Sequence, residues 1–283
     1  MRITFLGTGD SGGVPLPGCA CRACQRAREV AMFRRVPSSA LIETGDTRVL
    51  LGAATPDLAE RLPAGPLSAI MLSQFAIDHL QGLLRLRRGI GDTIPVFCPP
   101  DADGCADLYQ NRGRLEFLHP ASFEPVRIGE FIVVPVPIVH TRPTLGYLLR
   151  EVSGASIAYL GNTALLSNES VSHLHGGKLD ALLIDCDYRP RPDPEAGRGN
   201  LIRALALVRA LEPRQTLLTH VGHDLDAWLL EQPTSLPLPV ALPRDGDSIV
   251  LETGGSYYAI PDAPAVRRAS EIRSSRPERA FFV

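Results

Sequence analysis

Three cysteines in "PGCACRACQRAR", Cys19, Cys21 and Cys24, follow a C-x-C-x-x-C pattern. Soft sulfur ligands at this spacing suit tetrahedral zinc, which would take one further donor from elsewhere in the chain. "LTHVGHDLDAW" offers that donor twice, because His220 and His223 stand three residues apart. A second set of chemistry-bearing residues is spread out. His79, His140 and His220 each follow an apolar run, and Asp78 precedes His79. Loops at strand ends converge on one face in α/β folds, so such residues can share a site. In "LSQFAIDHLQGLLRLRRG", however, Gln74 and Ala76 occupy the two positions where a metal-binding loop would carry histidines.

The elements that must position these groups are legible as short runs. "RITFL", "SALIET", "TRVLLG", "SAIMLS", "IPVFCPP", "FIVVPVPIV", "LGYLLRE", "SIAYLGN", "ALLIDCD" and "TLLTHV" are rich in β-branched or apolar residues and predict strands. "PDLAERL", "LQGLLRLRR", "LSNESVSHLH" and "LIRALALVRAL" predict helices, the last with leucines at helical spacing. Strands of the first half read as hairpin-like clusters, and those of the second half alternate with helices. This organisation predicts an α/β sandwich rather than a doubly wound sheet. Residues 187–200, "DYRPRPDPEAGRGN", read as a lid too long for a simple connector. Residues 1–260 form the expected domain, and residues 261–283 read as a disordered tail.

Composition narrows the function classes. The 283 residues carry a net charge of −2, which argues against nucleic acid or a membrane surface as partner. No apolar stretch reaches transmembrane length. The N-terminus reads as a strand entering a glycine turn, not as a signal peptide, so a cytoplasmic protein is expected. Cysteines there are metal ligands more often than disulfides. Cys98, Cys105 and Cys186 are isolated, and packing explains them. His173 and His175 close a helix before two glycines, where C-terminal capping is explanation enough.

"FLGTGDSGGVPLPGCACRAC", "SQFAIDHLQGLLRLRRGIGDTIPVFCPP", "HTRPTLGYLL", "LGNTALL" and "LTHVGHDLDAW" together resemble the metallo-β-lactamase fold. Within it they are most similar to the phosphoribosyl cyclic phosphodiesterases of phosphonate breakdown, in register from Arg2 to about Leu251. The resemblance implies an αββα sandwich, two central mixed β-sheets flanked by helices. It implies a structural zinc on Cys19, Cys21, Cys24 and His223, all four unchanged. It also implies a dinuclear centre at Gln74, Ala76, Asp78, His79, His140, Asn162 and His220, of which three have lost their donor. Gln74 and Ala76 replace a histidine pair, and Asn162 replaces the bridging aspartate. A supporting strand-end aspartate becomes Gly52, and the lid histidine falls at Arg198, which can hold a phosphate but cannot shuttle protons near neutral pH.

Two-metal hydrolysis needs a bridging hydroxide and two cations, so the ancestral phosphodiester hydrolysis is expected to be lost or altered. The resemblance leaves His140 and the set Asp78, His79 and His220 as a residual site. That set could serve a single-metal hydrolase, using one further zinc, manganese or iron ion. Pyrroloquinoline quinone biosynthesis protein B, a second family that the chain partly resembles, shares the cysteine cluster and lacks the histidine pair. It implies a third reading, non-haem iron oxidation. The implied partners are a small phosphorylated molecule, held by Arg198, and a second copy in a homodimer.

Overall fold

The computed structural model describes residues 1–162, 165–191, 199–232, 236–237, 239–251 and 267–268. The chain first builds one sheet from β1 (Arg2–Gly7), β2 (Ser39–Thr44), β3 (Thr47–Leu51), β4 (Ala69–Met71), β5 (Ile94–Phe97) and β6 (Leu115–Leu118). It then builds a second from β7 (Val126–Ile128), β8 (Phe131–Pro137), β9 (Leu145–Glu151), β10 (Ser156–Leu160), β11 (Ala181–Asp185), β12 (Gln215–Thr219) and β13 (Val240–Ala241). Afterwards β14 (Ser248–Val250) returns to the outer edge of β1, and β15 (Arg267–Arg268) joins β7. Among the described residues the sheets have seven and eight strands, each antiparallel on one side and parallel on the other, except that β15 joins the antiparallel edge of the second sheet in parallel.

The helices are α1 (Arg22–Glu29), α2 (Leu58–Arg61), α3 (Leu83–Leu86), α4 (Ala106–Gln110), α5 (Asn168–His175), α6 (Leu201–Leu211) and α7 (His223–Glu231). They segregate to the two outer faces. Leu58, Leu83 and Leu108 pack with Leu50, Ile70 and Val96 outside the first sheet, and Leu174, Leu201 and Leu225 pack with Leu182 and Leu218 outside the second. Between the sheets lies a third cluster, with Ile3, Phe5, Val49, Met71, Phe131, Val133, Tyr147 and Leu183. This is the expected αββα sandwich. Tyr147, wholly buried, pins its centre by donating its hydroxyl to Leu72 O at 2.8 Å or Phe97 O at 3.1 Å.

One expectation about connectivity is corrected. The first half does not consist of hairpins alone, because β3 to β6 run parallel. Their crossovers carry helices of only four or five residues; two of these lie in runs that predict helices, but a helix between two strands does not by itself fix the strands as parallel neighbours. Parallel strands covered on both faces also lose the alternation that marks an exposed sheet; β3, "TRVLL", is buried at every residue. Within the 187–200 segment, Arg198 lies outside the described residues. So does the expected tail, apart from Arg267–Arg268.

Candidate metal clamp and strand-end pocket

Two groups of functional side chains emerge, and they differ in how their donor atoms are employed. The first is built where α1 meets α7. Cys19 and Cys21 precede α1, Cys24 lies in its first turn, and His223 opens α7. Three Sγ atoms and one histidine nitrogen all lie within 4.8 Å of one another. Cys19 and Cys21 Sγ stand 3.4 and 3.6 Å from His223 Nδ1. The backbone N–H groups of Leu16 and Cys21 donate to Cys24 and Cys19 sulfur. Of the two histidines left open by the sequence, His223 is the one that joins the cysteines.

The donors fit zinc in kind and in spacing. A tetrahedral ion with bonds of about 2.0–2.3 Å spreads its ligand atoms roughly 3.5–3.8 Å apart. Burial pushes the Cys24 thiol up to about 12, so without a cation this sulfur would stay protonated. The apolar side chains of Val14, Ala23 and Ala27 enclose the group. A zinc ion there would cross-link two helices that the chain separates by about two hundred residues.

The second group sits where strands of both sheets end. Gln74, Ala76, Asp78 and His79 follow β4, His140 follows β8, Asn162 follows β10, and His220 follows β12. The structure therefore brings the sequence-derived residues together at one pocket, with Gln74 and His220 buried and the Asp78 carboxylate about half exposed. Two of the positions are conformationally unusual. Asn162 and His220 both lie at φ 55, a left-handed conformation that costs non-glycine residues of order 1–3 kcal/mol. Gly52, at the end of β3, has φ 69, and an added Cβ would stand 3.1 Å from the Tyr159 hydroxyl and 3.3 Å from Ser38 O. No side chain substitutes there without strain.

The histidine nitrogens are already engaged. Gln74 Nε2, which can only donate, lies 2.9 Å from His140 Nδ1, and the backbone N–H of Arg142 donates to the same atom at 3.2 Å. Gln74 Nε2 also donates to Thr144 Oγ1 at 2.8 Å, and that hydroxyl passes its own proton to Arg142 O. Nδ1 of His140 therefore carries the lone pair and Nε2 the proton. Asn162 Nδ2 donates to His79 Nε2 at 2.9 Å. His220 Nδ1 donates to Asp187 Oδ1 at 2.5 Å, while its backbone N–H donates to Ser38 Oγ.

Three carboxylates that the sequence reading passed over complete the pocket. Asp185, the last residue of β11, accepts the Asn162 backbone N–H at 2.6 Å and the Thr219 hydroxyl at 3.0 Å. Asp187 holds His220, and Asp10 accepts the N–H groups of Gly12 and Gly13. The signal for Asp185 and Asp187 was an Asp-x-Asp at the end of "ALLIDCD", read only as a strand. Burial pushes Asp10 and Asp185 up, with His220 opposing it in both cases.

The two stacked imidazoles, centroids 5.9 Å apart, respond in opposite directions. Burial, seconded by the His220 charge, lowers His79 to about 4. Burial also disfavours charge on His220, but Asp187 and Asp185 outweigh it and raise the group to about 10. Near neutral pH the pair is thus one neutral ring and one imidazolium.

The residues do not fit a dinuclear centre. Among the described residues, only the clamp brings donor atoms from three or more histidine, cysteine or carboxylate residues within 4.8 Å of one another. The lone pairs of His79 and His140 accept N–H donors, and His220 would have to give up the proton that Asp187 favours before it could hold a cation.

Comparison with known proteins places this architecture. Residues 41–221 match the family described as the β-lactamase superfamily domain. Coenzyme PQQ synthesis protein B of Methylobacterium nodulans is 28% identical over 263 residues, spanning 74% of this chain and 86% of that protein. Its counterpart in Methylorubrum populi is 26% identical over 222 residues, spanning 65% and 72%. Among solved structures, a diphosphatase from the PhnP family superposes with a TM-score of 0.73 at 26% identity, over 89% of this chain and 98% of that one. Zinc-bound PqqB of Methylobacterium extorquens gives 0.68 at 20% identity over 89% and 100%, a likeness of fold.

Proposed function

The chain belongs to the β-lactamase superfamily, and from that premise we propose that its strand-end pocket binds a small ligand and no longer performs two-metal phosphodiester hydrolysis. The observation that carries the reading is the pair of amide contacts, Gln74 Nε2 to His140 Nδ1 and Asn162 Nδ2 to His79 Nε2, each 2.9 Å. Where the phosphodiesterase pattern has metal-ligating histidine and carboxylate, this chain has N–H donors that satisfy the remaining histidines internally.

The retained residues then act as a binding surface. His220, paired with Asp187, presents a fixed positive charge and an Nε2–H donor to a ligand oxygen. A group that keeps its proton to about pH 10 is a poor shuttle at neutrality, and so is one that stays neutral down to about 4. A small phosphorylated molecule fits this donor. The zinc clamp contributes rigidity: its ion, when bound, ties α1 to α7 and takes no part in chemistry at the pocket.

A second reading is a single-metal hydrolase on Asp78, His79 and His220. The observation in its favour is their nearness, with Asp78 Oδ2 3.8 Å from His79 Nε2 and the two rings stacked. Likeness to a diphosphatase at 26% identity adds to it. A cation would have to displace the Asn162 amide from His79 and deprotonate His220.

Elemental analysis of full-length protein dialysed against zinc, manganese or iron(II) separates the readings. One zinc per chain, with no further metal retained, supports the ligand-binding pocket. A second equivalent, lost in His79→Ala together with activity on bis-(p-nitrophenyl) phosphate, establishes the hydrolase in its place.

A further inference from the structure

Beside the clamp, and independent of the strand-end pocket, lies a cavity of about 270 Å³ between the segment after α1, the helix α7 and residues 242–244. Four arginines line it, Arg26, Arg34, Arg35 and Arg244, and the one carboxylate among them is Asp226. We propose that this cavity is a binding site for a small polyanion of the phosphate class, with pyrophosphate as its simplest form.

The charge balance is the first argument. Four guanidiniums line the cavity with one carboxylate, Asp226, and a second, Asp245, acts on Arg35 from outside the lining; none of the four meets Asp226 at the 2.7–2.9 Å typical of a charge-assisted hydrogen bond. Arg26 Nη2 lies 3.4 and 3.5 Å from the two Asp226 oxygens, and Arg35 Nε lies 3.7 Å away. Arg26 Nε is buried without a hydrogen-bond partner among the described residues. A buried donor left unpaired is costly, and an incoming oxyanion would satisfy it.

The second argument is preorganisation. The guanidinium carbon of Arg26 sits 4.0 Å from the centre of the Phe33 ring, and that of Arg244 sits 5.1 Å from it. A shared aromatic ring holds both cations against their mutual repulsion and leaves N–H edges free to donate. Arg35 is fixed from beneath by Thr8 Oγ1 and Pro243 O, both 2.8 Å from Nη1. Arg34 is anchored through Nε to Ala27 O.

Size sets the ligand class. The volume lies just below the roughly 300–1,000 Å³ of sites for drug-sized molecules, so a compact, highly charged anion fills it better than a bulky one. The strand-end pocket, by contrast, offers an anion the single His220 donor, whose ring is already paired with Asp187.

Isothermal titration of the zinc-loaded full-length protein with pyrophosphate at low ionic strength tests the assignment. The expected result is one site per chain, weakened on the order of tenfold by Arg244→Ala or by Arg34→Ala. Arg244→Glu should abolish binding, while His220→Ala should leave it intact. Both arginines are exposed, so thermal melting of these variants should stay at the wild-type value and exclude misfolding as a cause. Absence of binding to the wild type overturns the proposal. So does undiminished binding in Arg34→Ala/Arg244→Ala, or loss of the site in His220→Ala.

Discussion

The clamp and the strand-end pocket both gather potential metal donors, yet they use their donor atoms in opposite ways. At the clamp, Cys19, Cys21, Cys24 and His223 point their lone pairs at one another across less than 4.8 Å. In the pocket, every histidine lone pair is spent on a neighbour within the protein or covered by a second proton. Keeping the first costs nothing in catalysis and supports α1 and α7. In the second, polar amides stand against the histidines. Gln74 and Asn162 are hydrogen-bonding replacements, because a buried imidazole left without any partner would be penalised.

The contrast can be broken most directly at the clamp. Cys21→Ala or His223→Ala should lower the melting temperature by on the order of 10 °C or more, since structural zinc contributes binding energy that is also folding energy. A melt indistinguishable from wild type in either variant would remove the structural role. Next in size is the reverse operation in the pocket. Gln74→His/Ala76→His/Asn162→Asp should retain two further metal equivalents by elemental analysis and gain activity on bis-(p-nitrophenyl) phosphate. If it binds no more metal than wild type, the amide contacts are not what closes the site.

A smaller effect is expected from Asp187→Asn. It leaves His220 buried without its main counter-charge, and should cost about 1–3 kcal/mol in denaturant unfolding near neutral pH. The His220 ring should then titrate well below its present value of about 10 by NMR. An unmoved titration would show that Asp185 and Asp10 suffice.

The smallest signal is the dependence of stability on pH. Folded His79 binds fewer protons than its unfolded form between about 4 and 6.5, so its contribution is present above 6.5 and lost as pH falls through 4. Folded His220 binds more protons between 6.5 and about 10, so its contribution is whole below 6.5 and drains away as pH rises through 10. The two together give a dome. Asp187→Asn should flatten its alkaline limb selectively, a change readable from denaturant midpoints across the pH range.

How far the sequence led depended on whether a feature was local. Strand runs such as "TRVLL" and the cysteine spacing are properties of adjacent residues, and both were readable. The family resemblance aligned the pocket positions in register, including the altered Gln74, Ala76 and Asn162. The parallel arrangement of β3 to β6 escaped although two of its crossover helices were readable, since strand direction within a sheet is not a property of adjacent residues. Asp10, Asp185 and Asp187 escaped for a different reason. Each lies beside an element end with no motif of its own, and only tertiary packing sets them around His220. The tautomer of His140 is similarly invisible in sequence, because it follows from Gln74 and the Arg142 backbone meeting at one nitrogen.

The pairing of β1 with β14 also bears on how this molecule is made. Arg2, Ile3 and Thr4 face Val250, Ile249 and Ser248, partners separated by nearly the whole chain. β1 is therefore made long before its outer neighbour β14 and offers bare amide and carbonyl groups until that strand emerges. Closing that seam is a late, slow event with a large entropic hurdle, and a nascent chain halted before residue 248 would expose a ready template for misassociation.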